Sequence, residues 1–366
     1  MTQDELHAFL TLQHIPNLGD TSIKRLINRF DTAENVLRQK RETLLKIDGI
    51  GEVRLKGFFD KTHRDAAEEE LRFIDGNAIT CCNFLEESYP ERLKHCVDGP
   101  ILLFKRGSAG YENKRILAIV GTRRVTAHGL QFIQRFIEEL SPLQPLIVSG
   151  FAYGVDIAAH IAALDNDLDT IAVLAHGLNQ IYPKVHAKYQ KGVERQGAFI
   201  TDFWSTDIFD RTNFLRRNRI IAGLAEATLV IESAEKGGSL VTAEIANSYN
   251  RDVFAVPGRT DDLQSVGCNN LIKTQKAQLI TSAADLVYHL NWQPDEVFKP
   301  IQKQLFVELT DEERIIWRLL SEHGKEHLDL IALNCKMPTY KTAALLLNME
   351  LKGVVRPLPG KLFELT

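Results

Sequence analysis

The sequence predicts an α/β protein built on a doubly wound, mostly parallel sheet, and three observations carry that prediction. Short apolar runs recur at 116–120, 146–149, 170–174, 198–201, 228–232, 252–256 and 278–280. Segments with helical periodicity lie between and after them, near 127–140, 154–165, 184–196, 213–224, 239–249 and 282–290. Continuous Val/Ile/Leu strands alternating with helices are the mark of a sheet buried on both faces. Finally, glycines and hydroxyl residues gather where strands end, as in Gly121-Thr122 and Ser149-Gly150. Strand-to-helix turns favour those residue types.

The rest of the chain is organised around that block. At 366 residues the protein exceeds a single core, which rarely grows past about 250–300 residues. Residues 1–75 read as a helical domain with two related turns, Ile15-Pro16-Asn17-Leu18-Gly19 before the amphipathic run 22–30 and Ile47-Asp48-Gly49-Ile50-Gly51 before 52–59. The second resembles a helix-hairpin-helix turn, and the domain is SAM- or helix-hairpin-helix-like. Gly49 and Gly51 serve either a phosphate or a tight turn with close helix packing, and Asp48 and Glu52 do not favour DNA. Residues 76–290 form the extended Rossmann-like domain. It opens with a connecting segment in which Tyr89-Pro90 and Gly99-Pro100 flank the apolar run 101–104. Residues 291–309, with Pro294 and Pro300, read as a linker. In 310–366, Thr310 is placed to cap a helix whose first turn carries Asp311, Glu312 and Glu313. Helices near 328–335 and 339–352 and a hairpin around Pro359-Gly360 complete a winged-helix-like module. Its recognition helix is poor in bases, with Lys341 beside Tyr340, which favours protein contact or packing over DNA reading.

Bulk composition excludes several classes. The chain is 44% hydrophobic and 25% charged with a net charge of −4, so it is not a uniformly basic, histone-like binder. A few arginines in one cleft can still dominate the local field. Arg211, Arg216, Arg217 and Arg219 form one basic group, and Lys105, Arg106, Lys114, Arg115, Arg123 and Arg124 form another. The acidic N-terminus is not a signal peptide, and no run approaches the roughly 18 apolar residues of a membrane helix. The five cysteines include no Cys-x-x-Cys pair; the expectation is a reduced, cytoplasmic protein without structural zinc, metal or cofactor.

Open parallel sheets bind ligands beyond the carboxyl ends of their strands, so the turns at those ends are the candidate site. Gly121, Thr122 and Arg123 follow one strand; the glycine permits close approach, the hydroxyl can donate, and the arginine can hold a phosphate in bidentate fashion or brace the loop against a carboxylate. Ser149 and Gly150 begin a second such turn. Asp156 after it suits helix capping, and His160 suits packing, so the two do not make an acid–base pair. Lys184 after Tyr182-Pro183 adds a phosphate contact or a solvated charge. Arg217, Asn218 and Arg219 lie on an early helical turn, where residues two apart diverge; one arginine can reach a ligand while the other braces the sheet, with Arg217 favoured for the ligand. Lys236, Gly237, Gly238, Ser239 and Thr242 bring a lysine and free N–H groups to a helix start, an anion cradle without the Gly-Lys-Ser/Thr ending of a P-loop. Phe151, Tyr153, Tyr182, Phe203, Trp204 and Phe214 are candidates for stacking on bases. Several helix starts plus arginines in one crevice suit a polyanion, which points to nucleic acid.

These motifs, in this order, resemble the DprA/Smf family of DNA-processing proteins. The resemblance runs from Tyr89-Pro90 to about residue 280. It rests on Val120-Gly121-Thr122-Arg123, Ser149-Gly150-x-Ala152-x-Gly154-x-Asp156-x-x-Ala159-His160, Gly177-Leu178 with Tyr182-Pro183, Arg217-Asn218-Arg219, Gly238-Ser239-Leu240-x-Thr242-Ala243, Val256-Pro257-Gly258 and Gly267-x-Asn269-x-Leu271-Ile272. It implies a non-catalytic protein that binds single-stranded DNA, forms a homodimer through the Rossmann-like domain, and protects incoming DNA and loads RecA during natural transformation. Three positions depart from the family pattern: Leu215 stands where proline is usual, Gly237 where serine is common, and Lys276 before Ala277 where glycine is usual.

The alternative is a nucleotide-processing enzyme on a similar sheet, of the phosphoribohydrolase kind with Pro-Gly-Gly-x-Gly-Thr-x-x-Glu. The stretch Gly237-Gly238-Ser239-Leu240-Val241-Thr242-Ala243-Glu244 echoes it but lacks the second Gly-Thr, and its glutamate is one residue too close. A dinucleotide oxidoreductase fares worse, because no Gly-x-Gly-x-x-Gly follows the strand at 116–120.

Overall fold

The computed structural model describes residues 1–110, 115–292, 309–358 and 360–365. Lys114, most of the expected linker and Pro359 therefore lie outside the described residues. The chain divides into two compact units, Met1–Pro294 and Asp295–Thr366.

The larger unit begins with helices α1 (Gln3–His14), α2 (Asp20–Phe30), α3 (Ala33–Leu37), α4 (Arg41–Leu44) and α5 (Thr62–Gly76). Thr2 caps α1 by accepting from the Glu5 N–H, and α2 buries Ile23, Leu26 and Ile27 at the three- and four-residue spacing of one helix face. The expected amphipathic run 52–59 is instead a chain of turns. Its bonds include Arg54 N–H to Gly51 O and Phe58 N–H to Leu55 O, and Gly57 at φ +79° is in a conformation that stops helix propagation. At the turn before it, the guanidinium groups of Arg25 and Arg54 donate to the carbonyls of Asp48 and Gly49.

A nine-stranded sheet follows, among the described residues, in the order β1-β2-β6-β5-β4-β3-β7-β8-β9. Strand β1 (Thr80–Asn83), the short helix α6 (Glu91–Lys94) and β2 (Leu102–Gly107) make an antiparallel edge, and β2 runs antiparallel to β6 (Gly197–Thr201). The remaining strands are parallel: β3 (Ile116–Val120), β4 (Leu146–Ser149), β5 (Thr170–Val173), β7 (Ala227–Val230), β8 (Asp252–Ala255) and β9 (Gln278–Leu279). Neither β1 nor the antiparallel role of β2 was expected from the sequence.

Alternation along β3 separates the two faces. Ile116, Ala118 and Val120 pack with α10 (Thr212–Leu224), α11 (Gly238–Ser248) and α12 (Val266–Lys273). Leu117 and Ile119 pack with α7 (Ala127–Leu140), α8 (Val155–Asp165) and α13 (Ala283–His289). At the β5–β6 end, with α9 (Gln190–Gln196), Ala172, Phe199, Val193 and Trp204 share one core with Phe9, Leu12 and Leu26 of the helical domain. From β3 the chain builds β4, β5 and β6 on one side and then returns to lay β7, β8 and β9 on the other. That reversal between β3 and β7 is a topological switch point, where open α/β sheets leave a crevice.

In the smaller unit, Thr310 caps α14 (Asp311–His323) and Glu313 returns the bond to the Thr310 N–H. The unit continues with β10 (Lys325–His327), α15 (Leu328–Asn334), α16 (Thr339–Leu351), β11 (Val355–Leu358) and β12 (Leu362–Leu365). The strands form a sheet in the order β10-β12-β11 over a core of Ile316, Leu320, Ile331, Leu346, Met349 and Val355. Among the described residues no helix is long and apolar enough to cross a membrane.

Candidate nucleic-acid interface

The crevice at the switch point is a cleft of about 610 Å³. The β3–α7 turn supplies Gly121, Thr122 and Arg123, helix α10 supplies Arg217 and Asn218, and the β7–α11 turn supplies Lys236, Gly237, Gly238, Ser239 and Thr242. Its charge is one-sided. Arg123, Arg124, Arg211, Arg217 and Lys236 line it against a single carboxylate, Asp156. Arg123, Arg124, Arg211 and Lys236 are exposed, and none of them appears among the ion pairs of the described residues. This concentration sits in a chain whose net charge is −4.

Arg217 and Asp156 form the floor. Arg217 is 4% exposed; its Nη1 donates to Gly150 O and Val173 O at 2.6 Å each, and its Nε donates to Asn218 Oδ1 at 3.2 Å. The guanidinium lies where a side chain at position 150 would have to project, so glycine there makes room for it. Burial pulls the Arg217 pKa down to about 10, which leaves it charged at neutral pH. Burial pushes the Asp156 carboxyl up, with Arg217 opposing, and Asp156 Oδ2 accepts from the Ala152 N–H at 3.4 Å. Asn218 Nδ2 reaches Gly238 O at 3.3 Å and ties α10 to the start of α11.

The hydroxyls expected to hold phosphate are already engaged within the protein. Thr122 Oγ1 donates to Gln264 Oε1 at 2.8 Å, Ser239 Oγ to Ser233 Oγ at 3.0 Å, and Thr242 Oγ1 to Gly238 O at 3.1 Å. Donors left for an anion include the four exposed cations and the N–H groups of Gly238 and Ser239, which make no bond among the described hydrogen bonds at the start of an 11-residue helix.

Four expected residues do not line the cleft. Ser149 is fully buried beneath it and donates to Ile119 O at 2.6 Å. Gly150 contributes the carbonyl that anchors Arg217. Lys184 is exposed beyond the cleft lining, at the start of a short 3-10 helix. Arg219 points away from Arg217 toward the helical domain, where it pairs with Asp20 at 3.2 Å and with Asp202, and donates to Asp98 O. The divergence of residues two apart on a helix accounts for the split. His160 is fully buried with Nδ1 2.7 Å from Thr170 Oγ1, and burial pushes its pKa down to about 3.

One aromatic ring, Phe214, lines the cleft, and others pack behind it. Arg123 lies 5.2 Å from the centre of the Phe214 ring, a cation–π distance. Phe214 meets Phe209 at 5.6 Å, and Phe209 meets Tyr182 at 4.6 Å. Phe209 and Tyr182 are both 39% exposed, so part of each side chain is open to solvent. Phe151, Phe203 and Trp204 are core residues, 0%, 3% and 4% exposed; Tyr153 is exposed and packs edge-on against His186. Phe209 was not singled out from the sequence, although the apolar Ile208-Phe209 pair lies between Asp207 and Asp210.

The chain matches the sequence profile of DNA recombination-mediator protein A over residues 80–291 and that of the DprA winged helix domain over residues 303–361. Protein Smf of Escherichia coli is 35% identical over 285 residues, spanning 75% of this chain and 74% of that protein. DNA processing protein DprA of Streptococcus pneumoniae is 37% identical over 205 residues, spanning 56% of this chain and 72% of that protein. The X-ray structure of the S. pneumoniae protein aligns with a TM-score of 0.65 at 30% identity, over 79% of this chain and 98% of that one. A Helicobacter pylori DNA processing protein A structure, described for its single-stranded DNA binding mode, aligns with a TM-score of 0.53 at 27% identity, over 59% of this chain and 97% of that one. The chain belongs to the DNA recombination-mediator protein A family.

Proposed function

We propose that this protein binds single-stranded DNA in the switch-point cleft and acts as a non-catalytic recombination mediator. In this reading it works in the cytoplasm as a homodimer through the Rossmann-like domain, protects incoming strands during natural transformation, and loads RecA onto them. The observation that carries it is the set of exposed cations, Arg123, Arg124, Arg211 and Lys236, gathered at one crevice with no carboxylate partners among the described ion pairs. A chain of phosphates answers that pattern, while the Tyr182–Phe209–Phe214 rings answer bases. The single-strand binding mode described for the H. pylori relative supports the choice of strand.

The test is fluorescence anisotropy with labelled oligo-dT and the matching duplex across a salt series. Tighter binding of the single strand, weakening steeply with salt, is the expected result, and the slope counts phosphate contacts. No preference for the single strand, or turnover of a mononucleotide, would replace this reading with that of a nucleotide-processing enzyme. Sedimentation of the protein and RecA filament assembly on coated single strands test the dimer and the loading role.

A further inference from the structure

The segment between β6 and the middle of α10, residues 202–219, carries Arg211, Phe214 and Arg217 to the cleft, with Phe209 packed behind them against Phe214. Residues 202–211 contain no helix or strand, and the Ile208 side chain at the outer end is 85% exposed. The loop carries bonds of its own, from Trp204 N–H to Asp207 Oδ2 at 2.8 Å and from Asn213 Nδ2 to Ile208 O at 3.1 Å, and Phe209 meets the His176 ring at 6.1 Å. Its foot is also held by the N-terminal helical domain.

Glu70 of α5 is 3% exposed, and its carboxylate accepts from Ser205 N at 2.9 Å and Ser205 Oγ at 2.5 Å. Gln13 of α1 accepts from Trp204 Nε1 at 2.8 Å and donates to Asp202 O at 3.1 Å. His14 places its ring 5.0 Å from that of Trp204. Asp20 of α2 takes Arg219 at 3.2 Å, on the side of α10 opposite Arg217. Three helices of one domain thus grip both ends of the segment that presents the aromatic rim. A buried carboxylate is costly unless its hydrogen bonds are made, and apolar packing alone would hold this junction without one. Directional bonds add a defined position for the loop.

Resting on the single-strand reading of the cleft, we propose that Glu70, Gln13 and Asp20 are positioning residues through which the N-terminal domain sets the base-stacking part of the affinity. The phosphate part supplied by Arg123, Arg124 and Lys236, which lie outside residues 202–219, does not depend on them.

The experiment compares oligo-dT with an abasic oligonucleotide of equal length, which keeps the phosphates and removes the bases, using the full chain. The native protein prefers oligo-dT. Glu70→Ala shrinks that preference about fivefold, on the scale of one stacked base, while the abasic affinity, held mainly by Arg123, Arg124 and Lys236, falls by less than about twofold. Glu70→Gln retains the preference, because its amide oxygen can accept from Ser205 N–H and its amide NH2 can donate to Ser205 Oγ. Gln13→Ala, half-buried and removing two bonds, gives the same loss as Glu70→Ala and serves where that variant does not fold. An unchanged dT-to-abasic ratio in both variants, or equal binding of the two oligonucleotides by the native protein, overturns the proposal while leaving a phosphate-binding cleft. Failure of the native protein to bind either oligonucleotide overturns the cleft reading itself, and the positioning role with it.

Discussion

The cleft of the larger unit and the recognition helix of the smaller one both carry basic side chains, but their charges are in different states. In the cleft, Arg123, Arg124, Arg211 and Lys236 are exposed without carboxylate partners among the described ion pairs. In the winged-helix unit, Lys341 is taken by Glu312, Lys352 by Glu313, and Arg356 by Glu364; its exposed cations outside the described ion pairs, Arg318, Lys325, Lys336 and Lys361, are spread over α14, β10, the turn after α15 and the β11–β12 turn. A paired cation offers a phosphate little, since the incoming anion must first displace an acid already in place. What marks an anion-binding surface is therefore the unpartnered charge and its convergence, more than the count of lysines and arginines. The contrast yields predictions of decreasing size.

Arg123→Glu removes a phosphate donor and adds repulsion at the mouth of the cleft. Oligo-dT affinity should fall by about 30- to 100-fold, equivalent to about 2–3 kcal/mol for a charge-assisted contact. The loss should be similar for every sequence, because phosphate contacts carry little base information, and the salt slope should become shallower by about 1. Equal affinities for native and variant protein across the salt series would take Arg123 out of the site.

Phe209→Ala tests the rim rather than the charges. Its ring is partly open and shared with Tyr182, so a loss of about five- to tenfold is expected, at the low end of the usual 1–3 kcal/mol for a stacked base. The salt slope should stay where it was. A variant that binds as tightly as native protein would make the Tyr182–Phe209–Phe214 cluster packing only.

His160, one helical turn along α8 from Asp156, gives a test of burial that needs no ligand. Folded, it stays neutral down to about pH 3; unfolded, it takes up a proton below about pH 6.5. The unfolded chain therefore binds more protons between those values, and stability falls as the pH drops through that window. Between pH 7 and 5 the native protein should lose about 2 kcal/mol more than His160→Gln does. Denaturant unfolding at the two pH values checks this, and parallel losses would show that His160 does not stay neutral.

Much of this was legible in the sequence because it depends on local chemistry. The apolar runs that fix β3 and β4 end where Gly121 and Ser149 stand, and the order of strands and helices implies a parallel sheet with a crevice at their carboxyl ends. The roles of Arg217 and Arg219 were not separable in the same way. Their spacing says they diverge, but only packing decides that Arg217 lies under the cleft while Arg219 turns to Asp20, which is 199 residues away in sequence. The hydroxyls of Thr122, Ser239 and Thr242 bond Gln264, Ser233 and Gly238 within the protein, and the first of these partners, 142 residues away, could not be read from the motif. Phe209 was not singled out because a loop has no periodicity to show which of its rings is exposed.

The smallest expected effect is the sharpest test of the contrast. Lys341 is the recognition-helix base nearest the helix start, and it pairs with Glu312. If paired charge is silent toward DNA, Lys341→Glu should leave both oligo-dT and duplex affinity of the full chain within about twofold, because one partly exposed ion pair is worth about 0–1 kcal/mol. A tenfold loss for the duplex would mean that Glu312 yields the lysine to a phosphate when DNA arrives. The winged-helix unit would then be a second DNA surface whose charge is masked in the free protein, and pairing in the unbound state would no longer separate the two regions.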